Sequence, residues 1–266
     1  MTLKCPACLG ESTFALASCD NWLDYAQSQQ GPRKSISDIV KENPQFRFDS
    51  FVRCNSCGFT FVSPAPLPND LTLFYKSYYG NQSYIDKSHK KIKRAQKLIQ
   101  RIKKYKPQGS FLDVGCNVGY MPEVARQAGF NATGIEIDPD AVETAKKNFP
   151  KSQFFCSDIE SFSKTASPFD FIYCSEVIEH VPDVRSFVSM LAKLCNKGGY
   201  IYLTTPEARW RKSARRFIEW REVRPPEHIQ WFTRKSISIL LESAGFKVKK
   251  FIFNIKPGLK LFAERI

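Results

Sequence analysis

The stretch Phe111-Leu112-Asp113-Val114-Gly115-Cys116-Asn117-Val118-Gly119 is an apolar run that ends on a carboxylate and then turns on two glycines. It predicts a buried parallel strand bending sharply into a helix. Gly115 allows the tight turn and a close approach of a ligand, and Gly119 lets the first helical turn lie near it. Working outward, Ala132–Ile137 is a second short apolar run that closes on Glu136, 23 residues after Asp113. An acidic side chain at a second strand end can accept hydrogen bonds from both hydroxyls of a ribose. Phe154-Phe155-Cys156-Ser157-Asp158 adds a third strand end with a carboxylate.

The Asp113–Glu136 pair by itself serves NAD as well as S-adenosylmethionine. With the third carboxylate, the pattern resembles the class I S-adenosylmethionine-dependent methyltransferases, which usually have another glycine where this chain has Asn117. The resemblance implies an α/β fold: a Rossmann-like, seven-stranded sheet whose last strand is antiparallel. It also implies a cofactor site built from Asp113, Gly115, Asn117, Gly119, Glu136, Ile137, Asp158, Ile159 and Ser175, with Asp158 near the adenine amino group. Asp138 and Pro139 are a good N-cap and first helical residue, and the strand-helix alternation predicts right-handed crossovers.

Phe169–Cys174 reads as a fourth strand, followed by Ser175-Glu176-Val177-Ile178-Glu179-His180-Val181-Pro182-Asp183. This segment resembles a Glu-x-x-Glu-His motif of the quinone and small-molecule O-methyltransferases. Some relatives place a divalent ion on the matching residues, here Glu176, Glu179 and His180, so a divalent ion at the active site is implied. The same junction departs from the Asn/Asp-Pro-Pro-aromatic signature of amine methyltransferases acting on flipped bases. Tyr200–Thr204 reads as a fifth strand. Residues 205–232 are polar and aromatic, with Trp210, Trp220, Trp231 and arginines 209, 211, 215, 216, 221 and 224. A long segment at this edge predicts a substrate lid, and arginine favours phosphate or carboxylate. His228 follows as a second catalytic candidate. Thr233 is a plausible N-cap of the last helix, before two strands at 246–253 and 259–263.

Upstream, Cys5-Pro-Ala-Cys8 and Cys54-Asn-Ser-Cys57-Gly58 form two Cys-x-x-Cys pairs separated by 45 residues. Two such knuckles supply four thiolates for one tetrahedral structural Zn²⁺. Residues 27–47 read as loop with a short helix at 35–41. Phe46, Phe48, Phe51, Phe59 and Phe61 read as a small core around the metal. Ser63–Pro68 marks a linker. Phe74, Tyr75, Tyr78, Tyr79 and Tyr84 form an aromatic cluster, with Tyr75 or Tyr79 placed to approach the methionine moiety or the substrate. Ile85, Ile92, Ala95, Ile99 and Ile102 stripe a helix whose other face is rich in lysine. The expected organisation is a zinc-ribbon-like subdomain (1–66), a linker and basic helix (67–106) and a methyltransferase domain (107–266).

A chain of 266 residues with 42% hydrophobic content can bury one large core and a small satellite. It has neither an 18-residue apolar run nor an apolar leader, and its paired cysteines suit a reducing compartment, so a cytoplasmic location is expected. The net charge of +14 favours an anionic partner. The expected function is methyl transfer to a hydroxyl of a small anionic or phosphate-bearing acceptor, such as a sugar or nucleotide-linked sugar. His180 or His228 would act as base, beside Glu176 and Glu179. The alternative is an RNA methyltransferase that grips phosphates with the ribbon and the basic helix. A non-catalytic zinc scaffold is the third reading, and the intact Asp113, Gly115, Gly119 and Glu136 set argues against it.

Overall fold

The computed structural model describes residues 3–79, 88–208, 213–253 and 258–266. Tyr84, Ile85, Arg209, Trp210, Arg211 and the side chain of Tyr79, named above, lie outside the described residues. Eleven strands are described: β1 (Thr13–Ser18), β2 (Ser50–Cys54), β3 (Thr60–Ser63), β4 (Gly109–Val114), β5 (Phe130–Glu136), β6 (Gln153–Cys156), β7 (Phe169–Ser175), β8 (Cys195–Thr205), β9 (Gln230–Trp231), β10 (Phe246–Phe251) and β11 (Leu259–Arg265). The larger sheet has the order β10-β11-β8-β7-β4-β5-β6. Strands β6, β5, β4, β7 and β8 run parallel, and β11 runs antiparallel to both β8 and β10. This is the Rossmann-like class I methyltransferase sheet expected from the sequence, including the reversed last strand.

Chain order reverses at β4. Its neighbours β5 and β6 extend one way and β7 and β8 the other. The carboxyl ends of β4 and β7 therefore flank a topological switch point, where open α/β sheets bind ligands. The helices begin as the local sequence predicts. Asp138 caps the helix Pro139–Asn148, Asp183 caps the helix Val184–Lys193, and Thr233 caps the helix Arg234–Ser243 in a reciprocal box with Ser236. The basic helix (Ser88–Ile102) buries Ala95, Ile99 and Ile102 and leaves Lys91 and Lys97 exposed.

The amino-terminal part differs from the expected loop-rich ribbon. Residues Cys19–Gln27 and Pro68–Tyr79 are helices that were not expected, and the helix expected at 35–41 is present and longer, over Pro32–Glu42. The first is set by Ser18, which accepts from Asn21 N, and it buries Trp22, Leu23 and Ala26. These helices cover a second, four-stranded sheet of order β1-β2-β3-β9. Strands β2, β3 and β9 are buried on both faces, while Phe14 and Ala15 of the edge strand β1 are exposed. Val52 and Phe61 pack toward the large sheet, while Phe51 and Val62 pack with Trp22, Phe74, Phe217 and Trp231. The alternation of strand side chains thus divides the phenylalanines between two cores, where a single small core around the metal was expected.

Strand β9 comes from the segment read as a lid. It pairs with β3 through Thr60↔Trp231 and Phe61↔Gln230. Trp220 and Trp231 are buried, and Trp231 Nε1 donates to Glu222 O at 2.9 Å. These two rings are core residues and do not offer an open platform to an acceptor. Among the described residues, no helix is long and apolar enough to cross a membrane.

Candidate active site and metal centre

The glycine turn at the end of β4 takes the predicted backbone. Gly115 and Gly119 have φ of 76° and 83°. A Cβ would come 2.6 Å from Val177 Cγ2 at the first and 2.6 Å from Phe154 Cζ at the second. Protein packing alone therefore demands glycine at both places. Asn117, where the resembled family has glycine, adopts a left-handed φ of 49°. Its Oδ1 accepts from Val118 N at 2.8 Å, the local bond that lets asparagine tolerate this region. Its backbone N–H donates to Glu136 Oε2 at 2.9 Å. Ile137 N (2.8 Å) and Asp138 N (3.2 Å) donate to Oε1. Three amides thus hold the Glu136 carboxylate in place before any ligand arrives.

Asp113 is buried beside it, and burial followed by the charge of Glu136 raises its pKa well above the ordinary carboxylate value. Asp158 caps the helix Ile159–Thr165, accepting from Ser161 N at 2.8 Å and Ser161 Oγ at 2.9 Å. Ile137 is 61% exposed and Ile159 half-buried. Phe155 is also exposed on β6, beside Ile135 in the register. The sequence signal for Phe155 is strand alternation, which requires one of Phe154 and Phe155 to face outward.

The other half is assembled at the end of β7. Ser175 Oγ lies 2.7 Å from Thr204 Oγ1, which donates to Glu176 Oε1 at 2.8 Å. Glu176 has a left-handed φ of 56°. Glu179 is fully buried. Thr205 Oγ1 donates to its Oε2 at 3.0 Å, and its Oε1 has no hydrogen-bond partner among the described residues. Burial, then the neighbouring charge of Glu176, raises the pKa of Glu179 well above normal. Thr204 and Thr205 were not anticipated. Their signal was a polar pair closing the apolar run Ile201-Tyr202-Leu203.

His180 and His228, 48 residues apart in sequence, meet here with ring centroids 4.8 Å apart and planes at 84°. His180 Nδ1 lies 2.7 Å from Glu227 O and 3.0 Å from Tyr75 Oη. A carbonyl only accepts, so we assign the proton to Nδ1, leaving a lone pair on Nε2. Burial lowers the His180 pKa to about 4. His228 Nδ1 donates to Glu222 O at 2.8 Å. Its Nε2 lies 3.2 Å from Arg224 Nη2, which can only donate, so that lone pair is occupied. Burial, His180 and Arg224 together hold His228 well below its normal pKa. Arg224 Nη1 also pairs with Glu227 Oε2 at 2.9 Å. Ligating atoms of Glu179, His180 and His228 lie within 4.8 Å of one another.

The four cysteines of the two knuckles also converge. Cys5 and Cys57 sulfurs are 3.6 Å apart, as are those of Cys8 and Cys54, and all four lie within 4.8 Å. Metal–sulfur bonds of about 2.3 Å in a tetrahedron imply sulfur–sulfur edges of about 3.8 Å. A disulfide would need about 2.05 Å. The hydrogen bond from Cys57 brings the Cys5 thiol down to about 5, while Cys57 is pushed up. The donor set and spacing fit a divalent metal. Cys19 is buried at the start of its helix and is not part of this group.

A family model described as "Methyltransferase domain" matches residues 88–250, more than half of the chain. The chain is 35% identical over 98 residues to a ubiquinone biosynthesis O-methyltransferase of Coxiella burnetii (strain RSA 331 / Henzerling II), covering 35% of this chain and 42% of that protein. It thus spans less than half the length of the curated relatives it matches. Magnesium protoporphyrin IX methyltransferase of Synechocystis PCC 6803, solved with bound S-adenosylhomocysteine, superposes with a TM-score of 0.55 at 16% identity, over 74% of this chain and 100% of that one. A Pyrococcus horikoshii OT3 protein superposes with a TM-score of 0.58 at 15% identity, over 73% and 99%. These two likenesses speak to the fold. With the sheet order, the glycine turn and the family match in agreement, the chain belongs to the methyltransferase-domain family, in the class I S-adenosylmethionine-dependent methyltransferase fold.

Proposed function

We propose that the protein transfers the methyl group of S-adenosylmethionine to a hydroxyl of a small-molecule acceptor, with His180 as the base. The observation that carries this reading is the Nε2 of His180, which has no hydrogen-bond partner among the described residues and lies beside the carboxyl edge of β7, opposite an Nδ1 pinned by Glu227 O. Glu136 would receive the ribose hydroxyls, and Ile137, Ile159 and Phe155 would flank the base near Asp158. The Asp113–Gly119 turn and Ser175 would border the methionine end. The cofactor supplies an already activated methyl group, so the chain's task is alignment and proton removal. His180 Nε2 takes the hydroxyl proton as the oxygen–carbon bond forms and the sulfur–carbon bond breaks. His228, whose Nε2 is engaged by Arg224, serves as a wall of the site.

The acceptor is proposed to be a sugar or nucleotide-linked sugar, drawn to exposed arginines of this segment such as Arg215 and Arg221. Residues 205–232 would be its wall and lid. Structural zinc is proposed on Cys5, Cys8, Cys54 and Cys57, in a metal-binding module (1–66) preceding a linker (67–106) and the catalytic domain (107–266). All nine cysteines are free thiols, which suits a reducing, cytoplasmic setting. A second reading places a divalent ion at this corner, expected from the sequence on Glu176, Glu179 and His180. What supports it is the convergence of ligating atoms of Glu179, His180 and His228 within 4.8 Å, a group that takes in His228 in place of Glu176.

Radiolabelled methyl transfer to a panel of sugars, nucleotide-linked sugars, phenols and RNA tests the assignment. Labelling of a nucleotide-linked sugar supports it. Labelling of phenols alone moves the acceptor class, and salt-sensitive labelling of RNA alone revives the nucleic-acid alternative. Stimulation by added magnesium would favour the divalent ion.

A further inference from the structure

We infer that Gln230, with the strand β3 behind it, is a positioning tie through which the cysteine knuckles set the seat of His180. The inference rests on reading His180 as the group that meets the acceptor.

The contacts form one continuous path. Cys57 O accepts from Thr233 Oγ1 at 2.6 Å, and the same hydroxyl oxygen accepts from Ser236 N to cap the helix Arg234–Ser243. Gly58, next to Cys57, has a φ of 73°, and a Cβ there would come 3.0 Å from Thr233 Cγ2. Phe59 packs on Phe232 with centroids 5.0 Å apart. From the knuckle the chain enters β3, whose Thr60 and Phe61 pair with Trp231 and Gln230. Val62 N then donates to Ile229 O at 3.0 Å.

The far side of this segment holds the histidine turn. Ile229 N donates to Glu179 O at 3.0 Å, and the Gln230 side-chain amide donates to Val181 O. These two carbonyls bracket His180 in sequence. The third constraint, Glu227 O on His180 Nδ1, comes from the same stretch. Apart from the Tyr75 hydroxyl on its Nδ1, the constraints named here on the backbone and ring orientation of His180 lead to residues 227–230, a stretch that β3 holds from the second knuckle through residues 229–231. Phe232 is tied on its other flank to Ala208 N at 2.8 Å, so the stretch is suspended between the two sheets.

Gln230 itself is 3% exposed, and its Oε1 is buried with no hydrogen-bond partner among the described residues. A buried amide with one end unused is there for its other end, which here fixes the turn. The cofactor half has no share in this path. Glu136 is held by the amides of residues 117, 137 and 138, in the turns that follow strands β4 and β5.

The test uses the full-length, metal-loaded protein. Gln230→Leu removes the donor at similar volume. Thr233→Asp keeps an acceptor for the helix cap but removes the donor to Cys57 O. The measurements are kcat, KM for each substrate, cofactor affinity by calorimetry, and ring ¹⁵N shifts of His180 as a record of its tautomer. Both variants, and wild type stripped of its cysteine-bound metal, are expected to lose roughly 10–10²-fold in kcat. Cofactor affinity should stay within about twofold, and the Nδ1–H signature should be lost. A parallel fall in cofactor affinity would mean general unfolding and would overturn the tie. So would an unchanged His180 signature in Thr233→Asp and in metal-free protein. If Gln230→Leu does not fold, those two samples decide. If His180→Gln keeps full turnover while Thr233→Asp still disturbs the ring signature, the base assignment fails and the tie stands.

Discussion

The two halves of the candidate site are built by opposite means. The cofactor half is local. Asp113, Gly115, Asn117, Gly119 and Glu136 fall within one strand-turn-helix-strand unit, and the amides that fix Glu136 belong to residues 117, 137 and 138. The acceptor half is assembled from a distance. Its groups come from Tyr75, from Glu176, Glu179 and His180, from Thr204 and Thr205, and from Glu222 to His228. The first half is held by backbone geometry that any chain folding into this unit will reproduce. The second depends on two sheets arriving in register. Damage to one half should therefore leave the other intact, which several experiments can break or sharpen.

The largest expected effect is at the knuckles. Cys57→Ser removes one of four ligands from a site of a kind whose metal contributes about 10–16 kcal/mol in small zinc domains. Metal analysis should find about one zinc per wild-type chain. The variant should lose stoichiometric zinc and show a lower Tm, with the small sheet failing first. Full zinc content in the variant would refute the ligand assignment.

Next is His180→Gln, which should lower turnover by roughly 10²–10⁴-fold while cofactor affinity is unchanged. The same loss in His228→Gln but not His180→Gln would reverse their roles. It would also contradict the engagement of His228 Nε2 by Arg224.

Smaller is Glu136→Ala, expected to weaken cofactor binding by about 1.5–3 kcal/mol through lost charge-assisted hydrogen bonds. Calorimetry measures it, and kcat at saturating cofactor should change little. Unchanged affinity would place the ribose elsewhere.

The smallest effect is a dependence on pH. His180 is lowered to about 4 and His228 is also lowered, both by burial first, while an unfolded histidine titrates near 6.5. Between these values the unfolded chain takes up protons that the folded chain does not, so stability should decline as pH falls from about 6.5 toward 4. His180→Gln should flatten this decline in a thermal-melt series. For the same reason, the acid limb of kcat should lie below the free-histidine value.

Helix caps at Asp138, Asp183 and Thr233, the turn glycines and the strand-helix alternation were all legible in the sequence, because each is a short-range consequence of backbone geometry. The helix at 19–27 was not. Its buried face, Trp22, Leu23 and Ala26, is too short a stripe to stand out in a polar stretch. The helix at 68–79 was hidden by the prolines before it and by aromatics on several sides. Asn117 is instructive in another way. It departs from the glycine of the resembled family, yet its side chain stabilises the same left-handed turn.

By itself, the sequence determined the class of sheet, the carboxylates along its carboxyl edge and the two pairs of thiols. Period, turn chemistry and ligand spacing are written within a few residues of each. Only the tertiary structure decided that Trp220 and Trp231 are core and that β9 completes the small sheet. It also decided that His228 is tied by Arg224 while His180 Nε2 has no hydrogen-bond partner among the described residues. A two-residue strand such as β9 has no periodicity to read, and a histidine's tautomer is set by whichever carbonyl comes to face it. Both follow from contacts between residues far apart in the chain, and those exist only once the two sheets have docked.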